Sequence, residues 1–320
     1  MSEPKKETLE LDRSLVEELL LYSNNELTRI RRNRIINYFV KGGLVVGVLM
    51  IAYFIGGTNI SGAMGDKHKP HLAYVEIYGP IASGQLADTN RLIPSLHKAF
   101  KDPLSKAVAL RINSPGGSPV QAGQMYKEIN NLKEKYPDKP LYAVIEELGA
   151  SAAYYIASAA DKIYVDPASM VGSIGVISTG FGYSDVMEKV GVERRVLTSG
   201  TNKSLLDPYL PIDPKVVDYW KEMLNEIHGQ FITAVKEGRG DRLKADYPDL
   251  FSGLIWTGQK SIEIGLTDEV GSMASVSRAT VDNLNIVNYT PSPDLLKQLV
   301  DSTHAMVSAA KYSMMTPQLY

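Results

Sequence analysis

Two side chains in this sequence have the types needed for acyl transfer without histidine. Ser151 lies in Gly-Ala-Ser-Ala-Ala-Tyr-Tyr (149–155), and Lys203 lies fifty-two positions later in Ser-Gly-Thr-Asn-Lys-Ser-Leu-Leu-Asp-Pro (199–208). A serine hydroxyl is a weak nucleophile at neutral pH, and a lysine amine serves as its base only where burial disfavours the charged ammonium. The pair therefore implies a water-poor cleft and the Ser-Lys variant of nucleophilic catalysis.

A second element of such a site is a cradle for negative charge. Ser114-Pro115-Gly116-Gly117 reads as a turn between a strand and a helix, where two glycines let backbone amides approach a ligand that side chains would block. Amides at a helix N-terminus favour an anion and can hold the oxyanion of a tetrahedral intermediate. Ser151 stands at the next strand-to-helix junction among small residues. Gly149-Ala150-Ser151-Ala152-Ala153 falls one residue short of the Gly-x-Ser-x-Gly elbow of α/β-hydrolases. That chemistry needs a downstream histidine, and only His228 and His304 are available. His228 falls inside a long helical pattern and His304 in the tail, so a histidine triad is the weaker reading.

The elements that must position these residues follow from periodicity. Residues 72–78 alternate as a half-buried strand, and 107–112 read as a buried strand ending at the 113–117 turn. A helix is expected over 120–135, a strand over 141–145, a turn at 147–149, a helix over 150–160 and a short strand at 162–165. Residues 172–176 lie in or beside another strand. A helix near 184–189 precedes a strand at 194–198, and after the Lys203 loop come a long amphipathic helix at 214–236 and a shorter one at 256–264. This alternation of strands and helices predicts an α/β domain.

Composition narrows the alternatives. Among 320 residues there is no cysteine, which excludes a thiol nucleophile, a thiolate metal site and a disulfide framework. A net charge of -2 argues against an electrostatic nucleic-acid binder. The five histidines show no ligand spacing with carboxylates and there is no phosphate-binding Gly-Lys loop, so neither metal nor cofactor is expected.

Residues 42–60 are uncharged and long enough to cross the roughly 30 Å hydrocarbon core as a helix. Arg29, Arg31, Arg32, Arg34 and Lys41 precede this segment, which places the N-terminus in the cytoplasm and the rest of the chain on the outer face. A cleaved signal peptide is the competing reading, but its charged region is normally short, whereas about 40 residues precede the apolar run here. The expected organisation is a cytoplasmic segment (1–41) with an amphipathic helix, a transmembrane signal anchor (42–60), a linker (61–71), a catalytic domain (72–285) and a tail (286–320).

Six motifs in order carry a family resemblance: Ser-Pro-Gly-Gly (114–117), Ala-Ser-Ala-Ala-Tyr-Tyr (150–155), Ala-Asp-Lys-Ile (160–163), Gly-Ser-Ile-Gly-Val (172–176), Ser-Gly-Thr-Asn-Lys (199–203) and Gly-Arg-Gly (238–240). Together they resemble the signal peptide peptidase A and SohB-like family of serine peptidases over about residues 72–275. The resemblance implies a Clp protease/crotonase-like fold of repeated β-β-α units, preceded here by one transmembrane helix. It also implies peptide substrates such as cleaved signal peptides. It casts Ser151 as nucleophile, Lys203 as general base, Gly117 with Gly116 as oxyanion donors, and Ser173 as the residue that aims the lysine. Longer members carry two copies of the fold with lysine and serine in different copies. A single-copy chain is therefore expected to form a homo-oligomeric ring with the dyad shared between protomers. Where the family has Ala-Ser-Gly-Gly, this chain has Ala152 and Ala153, which bears on the space beside the nucleophile. Two other functions use such a fold: a crotonase-like thioester enzyme, and a non-catalytic membrane scaffold.

Overall fold

A computed structural model describes residues 42–43 and 65–291. The expected amphipathic helix, nearly all of the apolar 42–60 segment and the tail beyond 291 lie outside the described residues. No helix among the described residues is long and apolar enough to cross a membrane.

The domain opens with β1 (His71–Tyr78), α1 (Thr89–Lys101), β2 (Ser105–Ser114), α2 (Pro119–Lys135), β3 (Leu141–Ala150) and α3 (Ala152–Ala157). It continues with β4 (Lys162–Val165), β5 (Met170–Gly172), α4 (Ser184–Lys189) and α5 (Pro214–Arg239), then β6 (Ile255–Thr257), α6 (Gly258–Glu263), β7 (Glu269–Val270), α7 (Met273–Val281) and β8 (Ile286–Asn288). The strands form one eight-stranded sheet ordered β6-β5-β3-β2-β1-β8, with β4 beside β3 and β7 beside β4. Only β5 and β6 pair antiparallel. The α/β expectation therefore holds, and the sheet runs on through 286–288 beyond the expected domain end at 285.

Helix starts are set by local chemistry. Asp88, Ser118 and Asp213 cap α1, α2 and α5 through side-chain oxygens, and Pro119 and Pro214 fill first-turn positions where a missing N–H costs nothing. Strand alternation then sorts the two faces of the sheet. Val75, Ile77, Val108, Leu110, Ile112, Ala143 and Ile145 point into the main core beneath the helices. Leu72, Ala107, Ala109 and Val144 turn to the opposite face, where α7 covers them with Val276. Farther along that face Arg111 bridges Glu76 and Glu146, at 3.0 and 2.7 Å.

Two sequence expectations need correction. Residues 147–149 are not a turn, because β3 changes partner there: Tyr142–Ile145 pair with β4, and Leu148, Gly149 and Ala150 pair with β5. This fork carries the chain straight to Ser151. Residues 194–198 form no strand among the described residues; they are mostly exposed, with no neighbouring strand to complete their hydrogen bonds. The α1 helix, β7, α7 and β8 had no counterpart in the sequence reading. Pro94 inside α1 masks its helical pattern, and two- and three-residue strands are too short to show a period.

Several family motifs turn out to be scaffold. Gly238 packs against the Ser158 carbonyl so closely that a Cβ there would sit 2.0 Å from the oxygen. Arg239 is fully buried and holds Asp268 through two bonds of 2.8 and 2.9 Å, and Gly240 ends α5 at φ +52°. Asp161, from Ala-Asp-Lys-Ile, accepts from the Leu141 N–H at 2.8 Å and returns a bond from its own N–H.

Burial pushes the Asp268 carboxyl up, but hydrogen bonds and charge from Arg239, with help from the Ile163 N–H and Arg242, outweigh it and hold Asp268 below the usual range. A lowered carboxyl contributes stability that is complete above its unfolded value and is lost as pH falls through the folded one. Asp268→Asn, which strands a buried guanidinium, is expected to cost about 3–5 kcal/mol at neutral pH in urea unfolding. The gap to wild type should shrink below about pH 4. A loss under about 1 kcal/mol would show that the pair is not holding α5 to the sheet.

Candidate active site

Ser151 is placed by its backbone. It leaves β3 at φ 54°, ψ -127°, a left-handed turn that a non-glycine residue adopts at a cost of about 1–3 kcal/mol. Its N–H donates to the Gly172 carbonyl at 2.8 Å, and its own carbonyl accepts from Tyr155 at 2.9 Å to open α3. The hydroxyl thus sits on a sharp strand-to-helix turn, with its backbone fixed on both sides.

The Gly-Gly turn closes over it. A Cβ on Gly116 would lie 2.7 Å from the Ser151 Cβ, so only glycine lets the turn lean on this serine. Ile81 pins the turn from the other side, accepting from the Ser118 N–H at 2.8 Å and donating to the Gly116 carbonyl at 2.9 Å. Gly117, at φ +151°, touches the Ile81 backbone so tightly that a Cβ would come within 2.2 Å of its oxygen.

The amides divide in a way that the sequence did not show. Gly116 N–H is engaged by Ser114 Oγ at 3.2 Å. Gly117 N–H and Ala152 N–H donate to no acceptor among the described residues. Of the two glycines expected as oxyanion donors, Gly117 alone has a free amide, and Ala152, the residue after the serine, also has a free amide at the start of α3. Its signal was present: the first amide of any helix lacks an intrahelical acceptor. The Ala152 and Ala153 side chains are both buried, so their methyl groups face protein.

Ser173 joins the same cluster through the backbone. It follows Gly172, whose carbonyl holds Ser151, adopts φ 50°, and donates its N–H to Leu254 at 2.7 Å. His228, from α5, reaches the Ile174 carbonyl at 3.0 Å, which makes it a brace behind Ser173 rather than a partner of Ser151. Lys203 lies apart. It is exposed within a run of turns over 199–206, its N–H bonded to Gly200, and its ammonium makes no hydrogen bond or ion pair among the described residues. One chain therefore gathers Ser151, Gly116, Gly117 and Ser173 but leaves Lys203 in solvent.

A sharp serine turn at the end of a parallel strand, packed against a Gly-Gly turn, suits an α/β peptidase. Residues 133–286 match the model of peptidase family S49. The chain is 30% identical to a candidate protease of Methanocaldococcus jannaschii over 258 residues, 77% of this chain and 81% of that one. It is 30% identical to Protease 4 of Haemophilus influenzae over 205 residues, 63% of this chain and 33% of that one. It is also 43% identical over 228 residues to a Brucella melitensis protein named Na(+)/H(+) antiporter NhaA, of which it spans 31%. The chain belongs to peptidase family S49, the group that includes the SppA-like peptidases.

Replacing Gly117 by alanine should drive a methyl group into the Ile81 carbonyl and displace the free amide. The expected result is a fall in kcat on a peptide substrate of about 10²–10³-fold, with the thermal transition retained. Wild-type kcat in Gly117→Ala would remove this amide from the site.

Proposed function

We propose that this protein is a membrane-anchored serine endopeptidase that hydrolyses peptide bonds through an acyl-enzyme. In this reading Ser151 Oγ attacks the scissile carbonyl, and the Lys203 amine takes its proton. The oxyanion is held by the Gly117 and Ala152 amides. Lys203 then protonates the leaving amine, and water, activated by the same amine, releases the acyl group. The observation that carries the reading is the strained Ser151 turn packed against Gly116 with two unclaimed amides beside it. The parallel sheet is consistent with a Clp protease/crotonase-like fold.

The solvent position of Lys203 in one chain supports a dyad completed between protomers, with Ser173 of the serine-bearing copy orienting the incoming amine. Residues 177–212, which carry Lys203, expose Ile177, Phe181, Val190 and Leu197, an apolar surface that water disfavours and a neighbouring copy can cover. Substrates follow from the anchor: a domain tethered at the outer face of the cytoplasmic membrane meets cleaved signal peptides and other membrane-associated peptides.

Ser151→Ala and Lys203→Ala are each expected to lower kcat by about 10⁴-fold or more, because nucleophile and base act as one unit. Co-expression of the two inactive chains should restore part of the hydrolysis, since some interfaces join an intact serine to an intact lysine. Hetero-oligomers without recovered activity would place both residues in one chain.

For topology, a reporter fused after residue 70 is expected to be active only outside the cytoplasm. Activity of that fusion in the cytoplasm would overturn the orientation, and a mature chain beginning near residue 60 would overturn the retained anchor.

A further inference from the structure

Two strand-forming edges in this chain lack partners. The first is residues 193–199, Glu-Arg-Arg-Val-Leu-Thr-Ser, in which no backbone N–H or C=O makes a hydrogen bond among the described residues and Leu197 is fully exposed. The surrounding projection is not loose. Tyr183 donates its N–H to Pro208, its ring stacks on Tyr209 at 5.6 Å, and Arg194 pairs with Asp207 at 3.3 Å. The segment is therefore held on a braced projection, exposed and with its polar backbone groups open.

The second edge is the outer side of β6. Leu254 accepts from Ser173, and β5 and β6 pair with Val171 opposite Trp256. Antiparallel ladders alternate, so Leu254 and Trp256 bond inward while Ile255 turns its N–H and C=O, and Thr257 its N–H, away from β5, the Thr257 carbonyl being used by the helix it caps. Both residues are exposed, and β6 is the last strand on its side of the sheet. An open edge carrying Leu254 and Ile255, both about half exposed, is a template for another strand.

We infer that residues 194–198 of one copy add as a strand to the outer edge of β6 in the next copy, and that this pairing delivers Lys203 to the neighbour's Ser151. The inference rests on the shared-dyad reading above. The reach is sufficient: a strand outside β6 lies three spacings, about 14 Å, from β3, at whose end Ser151 stands. Residues 199–206 are turned and the Lys203 N–H bonds Gly200, so Thr198 to Lys203 covers less than the roughly 17 Å of an extended five-residue span, and the long Lys203 side chain makes up the difference. A second copy is the occupant argued for because the same segment that lacks a strand partner also carries the lysine that lacks a serine.

The absence of native cysteine makes the test direct. Full-length Ile255→Cys chains are co-expressed with full-length Arg195→Cys, Val196→Cys or Leu197→Cys chains and oxidised. Covalent dimers are then measured on non-reducing gels against each single variant alone. Cross-linking is expected only in the mixtures, and its efficiency should alternate along 195, 196 and 197, as side chains alternate across a strand. No mixed cross-link at any of the three positions in oligomers of wild-type size would overturn the pairing. So would a cross-link abolished by saturating peptide inhibitor, which would make substrate the occupant of this edge. Recovered hydrolysis in the Ser151→Ala and Lys203→Ala mixture without cross-linking would sink the strand pairing and leave the shared dyad standing. Cross-linking without recovered hydrolysis would do the reverse.

Discussion

The hydrogen bond from the Ser151 N–H to the Gly172 carbonyl is the contact on which the site depends. A serine at φ 54° is not stable by itself, and this bond fixes the turn at the point where β3 gives way to α3. Because β5 supplies the carbonyl, the sheet must fork at β3, with β4 taking its first half and β5 its last three residues. That fork in turn brings Gly172, Ser173 and Leu254 to one side of the serine while β2 brings the Gly116-Gly117 turn to the other.

Close packing does the remaining work. Gly116 against Ser151 and Gly117 against Ile81 are approaches that any Cβ would prevent, so the turn cannot drift from the serine without losing the Ile81 bonds on its far side. A turn built this way is held in place by backbone packing rather than by mobile side chains. The lysine proposed as general base is treated differently. Lys203 rides on a projection whose own helix, α4, buries no residue, so its position depends on whatever that projection packs against.

Five of the six family motifs divide by physical role. Ser-Pro-Gly-Gly, Ala-Ser-Ala-Ala-Tyr-Tyr and Gly-Ser-Ile-Gly-Val meet around the serine turn. Ala-Asp-Lys-Ile and Gly-Arg-Gly meet elsewhere, around the buried Arg239 and Asp268 pair, where they tie α5 and β4 to the loop before β7. Tyr154 reinforces that junction by donating to the Leu266 carbonyl at 2.7 Å from a fully buried phenol. A buried ion pair of this kind gives little net stability over an apolar substitute, yet loss of one partner is costly.

The sequence by itself determined the α/β class, the core strands and their helices, because period-two and helical patterns and side-chain caps are local properties of the chain. Residues 162–165 and 184–189 were legible to the residue for that reason. It also marked Ser151 and the Gly-Gly turn, since small residues at strand-to-helix junctions leave a local trace. Only the tertiary structure decided that 147–149 continue a strand and that Ile81 pins the glycine turn. Each of these is a pairing between segments distant in the chain, and no period or propensity encodes which distant backbone group will be adjacent. That the Gly116 amide donates to Ser114 is a matter of local turn geometry that the residue types alone do not encode. The strand expected at 194–198 shows the same limit from the other side: its pattern is local and present, but a strand exists only where a second edge accepts its hydrogen bonds, and one copy of this chain offers it none among the described residues.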